Sequence, residues 1–416
     1  MIKIKNLHLK NYRGFADATI DFGEHITCIA GINGSGKSSC LDALSKSIHS
    51  IIRPALNPNF KDVSFQDIKD TDVNVNSENK YASVSLDFYC NEKKFSQKID
   101  STCNIINNFA NKDIVDSLKK DFTIVSYYTV NRSELDIDVS VESEKDLSEK
   151  TESVKSSLAA VTHYKEFFKW FRDREDRENQ EIVSRFKKQN KDADYEDYAL
   201  KAVRSAIATL LPNISQMTVE RKKLSIIVNK GNTLLDFSTL SDGEKGIITL
   251  FGDIARRLAI ANETLENPLE GNGIILIDEI DLHLHPSWQR KICHALVKTF
   301  PNCQFVITTH SPQILGELKT NEIWLLNDFN VYRPNSSFGL TSNQILDEVM
   351  DIIDDDFSLS RDSTVEKKLQ ELNLAMETEK FAEAKKIITD LEKMTGTNLH
   401  EAESCKIALE MMENEE

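Results

Sequence analysis

An eight-residue segment near the N-terminus leaves little freedom for the fold around it. Gly31–Ser38 reads Gly-Ile-Asn-Gly-Ser-Gly-Lys-Ser and matches the pattern Gly-x-x-x-x-Gly-Lys-Ser/Thr. The apolar run Ile26–Ala30 precedes it as a predicted strand, and the helical pattern Lys37–Ser50 follows it. In this context backbone N–H groups and the positive end of the helix surround phosphate oxygens. The sequence therefore predicts an α/β domain that binds a nucleoside triphosphate, with Lys37 at the outer phosphates and Ser38 on Mg²⁺.

A second apolar strand, Gly273–Ile277, ends in two acidic residues. Asp278 is placed to contact Mg²⁺, directly or through a water molecule. Glu279 is placed to polarise an attacking water as a general base. Two solvated acids at the end of a strand would be the plainer interpretation, but the glycine-rich loop upstream weighs against it. The two motifs together predict Mg²⁺-dependent hydrolysis of a nucleoside triphosphate.

Two shorter segments add to this pattern. In Leu240–Gly246, Ser241 can cap the helix that follows, and Gly243 allows a close approach of the backbone. On local grounds that segment is an N-cap and nothing more. His310 follows the buried strand Gln304–Thr308. A single histidine is usually structural, but this one lies beyond the carboxyl end of a strand, where α/β sheets collect their ligands.

These four segments, in this order, resemble the ATP-binding cassette (ABC) ATPases of the SMC/RecF/OLD-like branch. The signature segment has Asp242 and Glu244 where transporters commonly carry Gly and Gln. The segments that carry the resemblance to this branch are Asn11–Phe15, Asp278–Pro286, Trp288–Arg290 and Thr308–Leu315. Tyr164–Asn179 narrows the resemblance to small bacterial ATPases of the AAA family. Among these the chain most resembles the PtuA family, the ATPase subunits of Septu anti-phage systems, including retron-linked forms.

The resemblance implies a role for individual residues. Glu279 would be the catalytic base, and His310 the switch histidine at the γ-phosphate. Ser38 and Asp278 would hold Mg²⁺. The residues implied to bind ATP are Arg13, Asn33, Gly34, Ser35, Gly36, Lys37, Ser38, Ser39, Ser241, Gly243, Glu244 and Asp281. Because Ser241 and Gly243 would contact ATP on the opposite subunit, and the Asp281 loop would cross the interface, the minimal active unit would be a dimer.

The chain departs from the family pattern in two ways. Family members commonly carry a Gln loop after the strand at 122–130, but Ser126–Arg132 contains no Gln. Tyr128, Asn131 and Arg132 are the candidates to replace it. The segment between Asn131 and Leu224 is also too short for long coiled-coil arms and lacks sustained heptads. It is therefore expected to be a short helical insert.

The implied fold is an α/β ABC-type ATPase head with a parallel or mixed sheet core. Its predicted parts are lobe I (1–132), a helical insert (133–223), lobe II (224–346) and an acidic helical tail (347–416). The tail has 20 acidic and 8 basic residues, and the rest of the chain is close to neutral. Two apolar stripes, Val365/Leu369/Leu372 and Ala384/Ile387/Ile388/Leu391, predict helices that pack on the head, another copy or a partner. The acid run Asp354–Asp356 is expected to be a solvated loop rather than a nuclease metal site.

The leading hypothesis is an ATPase subunit of an anti-phage defence complex that forms at least a homodimer. Without a nuclease of its own, it would control a partner nuclease of the HNH type, similar to PtuB. DNA and a retron reverse transcriptase with its noncoding RNA are further candidate partners. The scattered cysteines favour a reducing cytoplasm. No apolar run reaches the roughly 18 residues that a membrane helix needs, so no membrane association is expected.

Three other hypotheses remain open. A stand-alone RecF-like repair ATPase would bind DNA through basic residues of the insert, namely Arg172, Arg174, Arg177, Arg185, Lys187 and Lys188. The competing interpretation of those residues is an exposed helix laced with salt bridges, because acidic residues interleave with them. Tyr164, Phe167, Phe168 and Phe171 on the same segment predict a core or docking face. The other two hypotheses are an ATP-sensing module with negligible turnover and, much less favoured, a transporter subunit.

Overall fold

The computed structural model describes residues 1–56, 68–77, 80–101, 114–117, 122–130, 163–187, 195–350, 363–378, 380–396 and 399–413. The chain divides into two compact units, Met1–Ile345 and Leu346–Glu416. The strands are β1 (Ile2–Tyr12), β2 (Phe15–Asp21), β3 (Ile26–Gly31), β4 (Ser83–Cys90), β5 (Lys93–Asp100), β6 (Thr123–Tyr128), β7 (Ile214–Glu220), β8 (Ser225–Lys230), β9 (Thr233–Asp236), β10 (Asn272–Ile277), β11 (Cys303–Thr309), β12 (Ile323–Asn327) and β13 (Asn330–Tyr332).

The helices belong to both units. They are α1 (Lys37–Leu56), α2 (His163–Lys187), α3 (Tyr198–Leu210), α4 (Asp242–Ala261), α5 (Pro286–Thr299), α6 (Pro312–Leu315), α7 (Ser342–Gln344), α8 (Ser363–Glu377), α9 (Phe381–Thr395) and α10 (His400–Glu413). Four short 3₁₀ turns and a π-helical turn, Ile345–Met350, complete the described elements. None of the helices in the described part of the chain is long and apolar enough to cross a membrane.

A six-stranded sheet in the order β13-β12-β3-β11-β10-β6 forms the centre of the first unit. All neighbours in it pair in parallel except β13, which is an antiparallel edge strand. Every residue of β3, β6 and β11 is buried, which explains their nearly continuous apolar sequences. This arrangement places the carboxyl ends of β3, β11 and β10 side by side. The predicted α/β head with a mixed sheet core is confirmed.

A second, antiparallel sheet in the order β2-β1-β4-β5 packs with α1 into one apolar core. The buried Gln304 of β11 ties this sheet to the central one. Its Nε2 donates to the carbonyl oxygens of Ile4 at 2.9 Å and Gly23 at 2.7 Å, and its Oε1 accepts from the Ile4 N–H at 2.9 Å. A polar side chain therefore satisfies three backbone groups on two segments inside the head.

The aromatic stripe of α2 is part of the core. Phe167, Phe168 and Phe171 are fully buried, so the predicted core face is confirmed for these three residues. Gly252 on α4 makes room for them, because a Cβ at that position would lie 2.9 Å from the Phe167 ring. The side chain of Tyr164 lies outside the described residues. The insert is helical in α2 and α3, and its last part forms strand β7, which joins β8 and β9 in a third sheet.

A charged cluster lies in the interior beside β6. Asp253 on α4 accepts from Arg257 Nε at 2.7 Å and pairs with Arg256 at 2.7 Å, and the Tyr128 hydroxyl donates to it at 2.8 Å. All four side chains are almost completely buried. Burial alone would lower the pKa of Arg257, but the Asp253 carboxylate outweighs it and raises that pKa. The cluster therefore holds α4 to the strand that runs beside β10.

The second unit contains the three helices α8, α9 and α10 around an apolar core of its own. The two predicted stripes form much of this core, with Leu372, Ala384 and Leu391 almost fully buried. Helix α9 ends at Gly396, whose φ of +68° gives the left-handed cap that glycine adopts without strain. The run at 354–356 lies outside the described residues.

We predict that Asp253→Ala destabilises the head strongly. Removing the carboxylate leaves two buried arginines without their counter-ion, which costs about 3–5 kcal/mol of unfolding free energy. Urea unfolding followed by circular dichroism should show a clearly lower midpoint.

The matched control is Asp242→Ala on the same helix, where the side chain is 69% exposed and pairs with Lys245 at 3.4 Å. That change should cost less than about 1 kcal/mol. Equal midpoints for the two variants would contradict a stabilising role of the buried cluster.

Candidate nucleotide-binding site

The glycine-rich loop leaves β3 in a conformation that only glycine adopts easily. Gly34 and Gly36 have φ angles of +83° and +105°. A Cβ at Gly31 would lie 2.5 Å from the carbonyl oxygen of Leu326 and 2.6 Å from Ser35 Oγ. Ser35 is only 3% exposed, and its Oγ has no hydrogen-bond partner in the structure. A buried hydroxyl of this kind costs about 1–3 kcal/mol, which an incoming phosphate oxygen would offset.

Lys37 folds back over the same loop. Its Nζ donates to the carbonyl oxygens of Gly31 at 3.0 Å and Ile32 at 2.9 Å, and the residue is 5% exposed. Burial lowers the pKa of the ammonium, and the nearby carboxylates of Glu279 and Asp278 oppose that shift. The loop therefore presents a partly desolvated cation next to the two acids that follow β10.

The two acids after β10 are held by Thr308 on the neighbouring strand. Thr308 Oγ1 donates to Asp278 Oδ1 at 2.5 Å and accepts from the Glu279 N–H at 2.7 Å. The Asp278 N–H also donates to the carbonyl of Tyr128 at 2.8 Å. Glu279 has a φ of +47°, a left-handed conformation that costs a non-glycine residue roughly 1–2 kcal/mol. Sequence reasoning did not single out Thr308, although it begins the segment that contains His310.

His310 stands beside Glu279. Its Nε2 lies 4.0 Å from Glu279 Oε1, and both side chains are less than a third exposed. Burial lowers the pKa of His310 and the Lys37 charge lowers it further, while the carboxylates of Asp281, Glu279 and Asp278 oppose the shift. The imidazole is therefore mostly neutral at pH 7.

Asp281 belongs to the same group of residues. Thr309 Oγ1 donates to its Oδ1 at 2.6 Å. The structure therefore brings five predicted site residues together at the carboxyl edge of the central sheet: Lys37, Asp278, Glu279, Asp281 and His310. Asn33, Gly34 and Ser38 lie exposed on the loop and the first turn of α1.

Arg13 lies beside the first turn of α1 in an ion-pair cluster. Its Nη1 donates to Ser39 Oγ at 3.2 Å, its Nη2 to Asp42 at 2.6 Å and its Nε to Asp72 at 2.9 Å. Lys46 Nζ donates to the same Asp72 at 2.8 Å. Arg13, which is predicted to bind ATP, thus contacts Ser39 on the first turn of α1. No sequence pattern marked Asp42 or Asp72 as partners of this arginine.

The signature segment forms the N-terminus of α4. Ser241 is the N-cap, and it forms a capping box with Glu244, whose carboxylate also binds Lys230 Nζ at 2.7 Å. Burial would raise the pKa of Glu244, but its bonds to Lys230 and Ser241 lower it. A Cβ at Gly243 would lie 2.6 Å from the carbonyl of His283, so the segment packs on the loop that follows β10. Ser241 and Glu244 hydrogen-bond to each other, and Glu244 also pairs with Lys230. In the described part of the chain, these side chains do not bond to the glycine-rich loop.

Of the three residues proposed to replace the Gln of the Gln loop, Tyr128 is the one that lies among the described residues. The Tyr128 hydroxyl is buried and donates to Asp253 in the interior. The pleat of β6 turns this side chain away from Tyr127, whose pKa is raised by burial and by the Asp278 charge. Tyr128 is therefore engaged by the core rather than by the site. Asn131 and Arg132 lie outside the described residues.

The donor set fits the expected ligands. Ser38 and Asp278 offer a hydroxyl and a carboxylate, the oxygen ligands that Mg²⁺ prefers. Gly31 and Gly36 lie too close to neighbouring atoms to be replaced by larger residues, and the loop they belong to is rich in backbone donors. With the parallel strand order and the acids and histidine at adjacent strand ends, these features define an ABC-type ATP-binding head.

Comparison with known proteins places the chain within this class. Residues 26–316 match the family described as "AAA domain, putative AbiEii toxin, Type IV TA system", and the chain belongs to this family. It is 29% identical to the retron Ec83 probable ATPase of Escherichia coli, over 98% of this chain and 87% of that protein. It is 30% identical to the retron Vc95 probable ATPase of Vibrio cholerae serotype O1 biovar El Tor, over 83% of this chain and 78% of that protein. It is 24% identical to the Septu protein PtuA of Bacillus thuringiensis, over 84% of each. The predicted relationship to PtuA and to retron-linked ATPases is confirmed.

We predict that Lys37→Met raises the pKa of His310. Burial keeps the imidazole pKa below about 6.5, and removing the Lys37 charge takes away the second cause of that shift. Nuclear magnetic resonance titration without nucleotide or Mg²⁺, with the signal assigned from His310→Gln, measures this pKa. Because the unfolded imidazole binds its proton more tightly, His310 also makes the protein lose stability as pH falls from about 6.5 towards the lower folded-state value.

Lys46→Met provides the control for the titration. It removes a cation from the same helix, but one that pairs with Asp42 and Asp72. The His310 pKa should not move in that variant. A His310 pKa that is insensitive to Lys37→Met would disprove the electrostatic contact between the two side chains.

Proposed function

We propose that this protein is the ATP-binding and ATP-hydrolysing subunit of a cytoplasmic anti-phage defence complex. In this proposal two heads close around ATP and thereby control a partner nuclease of the HNH type. The observation that carries it is the meeting of Lys37, the Asp278–Glu279 pair and His310 at one edge of the central sheet. Within one site, these residues supply a cation for the phosphates, a general base and a histidine that can contact the γ-phosphate.

ATP would bind through backbone and side-chain groups of the glycine-rich loop and the start of α1. The backbone N–H groups of the loop and the Ser35 hydroxyl would meet phosphate oxygens. Lys37 would exchange its bonds to the Gly31 and Ile32 carbonyls for the outer phosphates. Mg²⁺, held by Ser38 and Asp278, would offset the negative charge of the phosphates.

Glu279 would act as general base in hydrolysis. Its carboxylate accepts a proton from a water molecule as the water oxygen bonds to the γ-phosphorus. The bond between the γ-phosphorus and the bridging oxygen breaks, and ADP leaves with that electron pair. Neutral His310 can donate a hydrogen bond to a γ-phosphate oxygen, where negative charge is concentrated. Water is consumed, and ADP and inorganic phosphate are the products.

The position of the signature segment supports a dimer. Ser241 and Gly243 lie at the start of α4, and among the described residues the Ser241 side chain bonds to Glu244 rather than to its own glycine-rich loop. A second head would bring its signature segment to the phosphates held by the first. Each site would then be half complete in one chain, and ATP would favour the closed dimer because it binds that state better.

The relatives support a role in defence. Two of them are named as retron ATPases and one as a Septu protein. The second unit is the proposed docking element for a partner, since Leu374 and Ile407 are exposed apolar residues on an acidic helical surface. A reverse transcriptase with its noncoding RNA is a further proposed partner, in line with the retron relatives.

The contacts on α2 disfavour the DNA-repair alternative. Arg172 pairs with Asp173 at 2.9 Å, Arg174 with Asp197 at 3.6 Å and Arg185 with Glu181 at 2.8 Å. Lys188 lies outside the described residues. Because these three arginines already have acidic partners, they have less charge to offer a phosphate backbone. A DNA-binding head should lose affinity steeply with salt. DNA therefore remains a partner to be tested by gel shifts at two salt concentrations.

We predict that Glu279→Gln lowers kcat for ATP hydrolysis by about 10²- to 10⁴-fold, the usual contribution of a general base. ATP affinity should stay close to that of the wild type, because the change keeps the shape of the side chain. Phosphate release and the binding of a fluorescent ATP analogue measure the two quantities. Glu317→Gln, an exposed glutamate away from the site, should hydrolyse ATP at the wild-type rate. Tight ATP binding with negligible turnover in both wild type and Glu279→Gln would favour an ATP sensor instead.

We predict that removing residues 363–416 abolishes co-purification of the partner while the head still binds ATP. The head has its own core, so its fold should survive the truncation. Affinity purification from the native cell, followed by mass spectrometry, measures the loss. A truncated chain that still carries a stoichiometric nuclease would rule out the second unit as the docking element.

A further inference from the structure

His310 lies between two residues that are both tied to the loop after β10. On one side, Thr309 Oγ1 donates to Asp281 Oδ1 at 2.6 Å and accepts from the Ser311 N–H at 2.9 Å. On the other side, the Ser311 hydroxyl lies 2.8 Å from Oε1 of Gln289 on α5. Hydrogen bonds made by Thr309 and Ser311 therefore hold the backbone on both sides of the His310 imidazole.

Gln289 closes this arrangement into a ring. Its Nε2 donates to the carbonyl of Leu284 at 2.9 Å and, more weakly, to that of Asp281 at 3.4 Å. Its Oε1 accepts the Ser311 hydroxyl proton. One amide thus binds the loop after β10 with its donor end and the segment of His310 with its acceptor end. Among the described residues, the side-chain hydrogen bonds of Gln289 go to Leu284, Asp281 and Ser311, and not directly to Glu279 or His310.

The loop that Gln289 binds contains strained backbone. Glu279 and His283 have φ angles of +47° and +60°. Each such residue costs of order 1 kcal/mol or more and persists only when its surroundings hold it. The Thr308 bond holds the first of them. Gln289 binds the carbonyl of Leu284, directly after the second.

We propose that Gln289 is a positioning residue for ATP hydrolysis. Its amide fixes the distance between the Glu279 loop and the His310 segment, so that the base and the histidine meet the same γ-phosphate. The proposal rests on the ATPase function proposed above and adds a residue that touches neither ATP nor the reacting water. ATP binding itself depends on the glycine-rich loop, which Gln289 does not contact. Loss of the amide should therefore slow the reaction without weakening binding.

The main test is Gln289→Met, which keeps the length of the side chain and removes both hydrogen-bonding ends. The kcat should fall about 10- to 100-fold. Small displacements of reacting groups, or of the residues that position them, slow other enzymes by a similar factor. The Kd for ATP and the thermal unfolding midpoint should stay at wild-type values. If the methionine variant is unstable, Gln289→Glu serves instead. The glutamate keeps an oxygen that accepts from Ser311 but places a carboxylate oxygen against the carbonyls of Leu284 and Asp281. ATP hydrolysis by this variant should therefore also be slow.

Gln313→Met is the matched control. Gln313 Oε1 lies 2.9 Å from the same Ser311 hydroxyl, which has one proton to share between the two glutamines. In the described part of the chain, the Gln313 side chain contacts Ser311 and not the loop after β10. The kcat of Gln313→Met should therefore remain within about twofold of wild type, a difference of less than about 0.5 kcal/mol.

The outcomes separate this proposal from the proposed function. If wild type hydrolyses ATP, Glu279→Gln does not, and Gln289→Met keeps the wild-type kcat, the positioning role is overturned and the ATPase stands. An equal fall in Gln313→Met, or a fall in ATP affinity that matches the fall in kcat, also overturns it. A wild-type protein that binds ATP without turnover overturns both proposals.

Discussion

The parallel pairing of β10 with β11 is the constraint on which the site depends. In the observed register, Ile277 lies opposite Ile307. The next residues of each strand then meet at the sheet edge, so the Thr308 hydroxyl reaches Asp278 and the Glu279 N–H. A slip of one residue would turn these side chains to the other face of the sheet and separate the acids from His310. The apolar cores on both faces hold the register, since every residue of β11 is buried.

Burial of charge is the second organising effect. Lys37 is partly desolvated between backbone carbonyls and carboxylates, and its charge in turn helps to keep His310 neutral. Preorganised charges of this kind act strongly on a substrate because little water remains to screen them. The relatives named as retron probable ATPases and as a Septu protein match this chain over most of its length.

The buried cluster of Asp253 with its two arginines connects regions that a nucleotide would influence. Tyr128 bonds to Asp253 with its hydroxyl and to the Asp278 N–H with its carbonyl. Arg256 also lies 3.7 Å from Glu166 on α2. Helix α4, which begins with the signature segment, is thus joined both to the strand beside the acids and to the insert.

The elements with strong local patterns could be read from the amino-acid order alone. The glycine-rich loop, the apolar strands and the aromatic stripe of α2 each follow from nearby residues, because glycine conformations and apolar periodicity act over short distances. Strand β5, Lys93–Asp100, has no such pattern, since it is polar and exists through its pairing with β4. The pairing of Arg13 with Asp72, the Thr308 bonds and the ring around Gln289 depend on contacts between distant segments. Folding alone decided them, because side chains far apart in the chain meet only once strand register and helix packing are set.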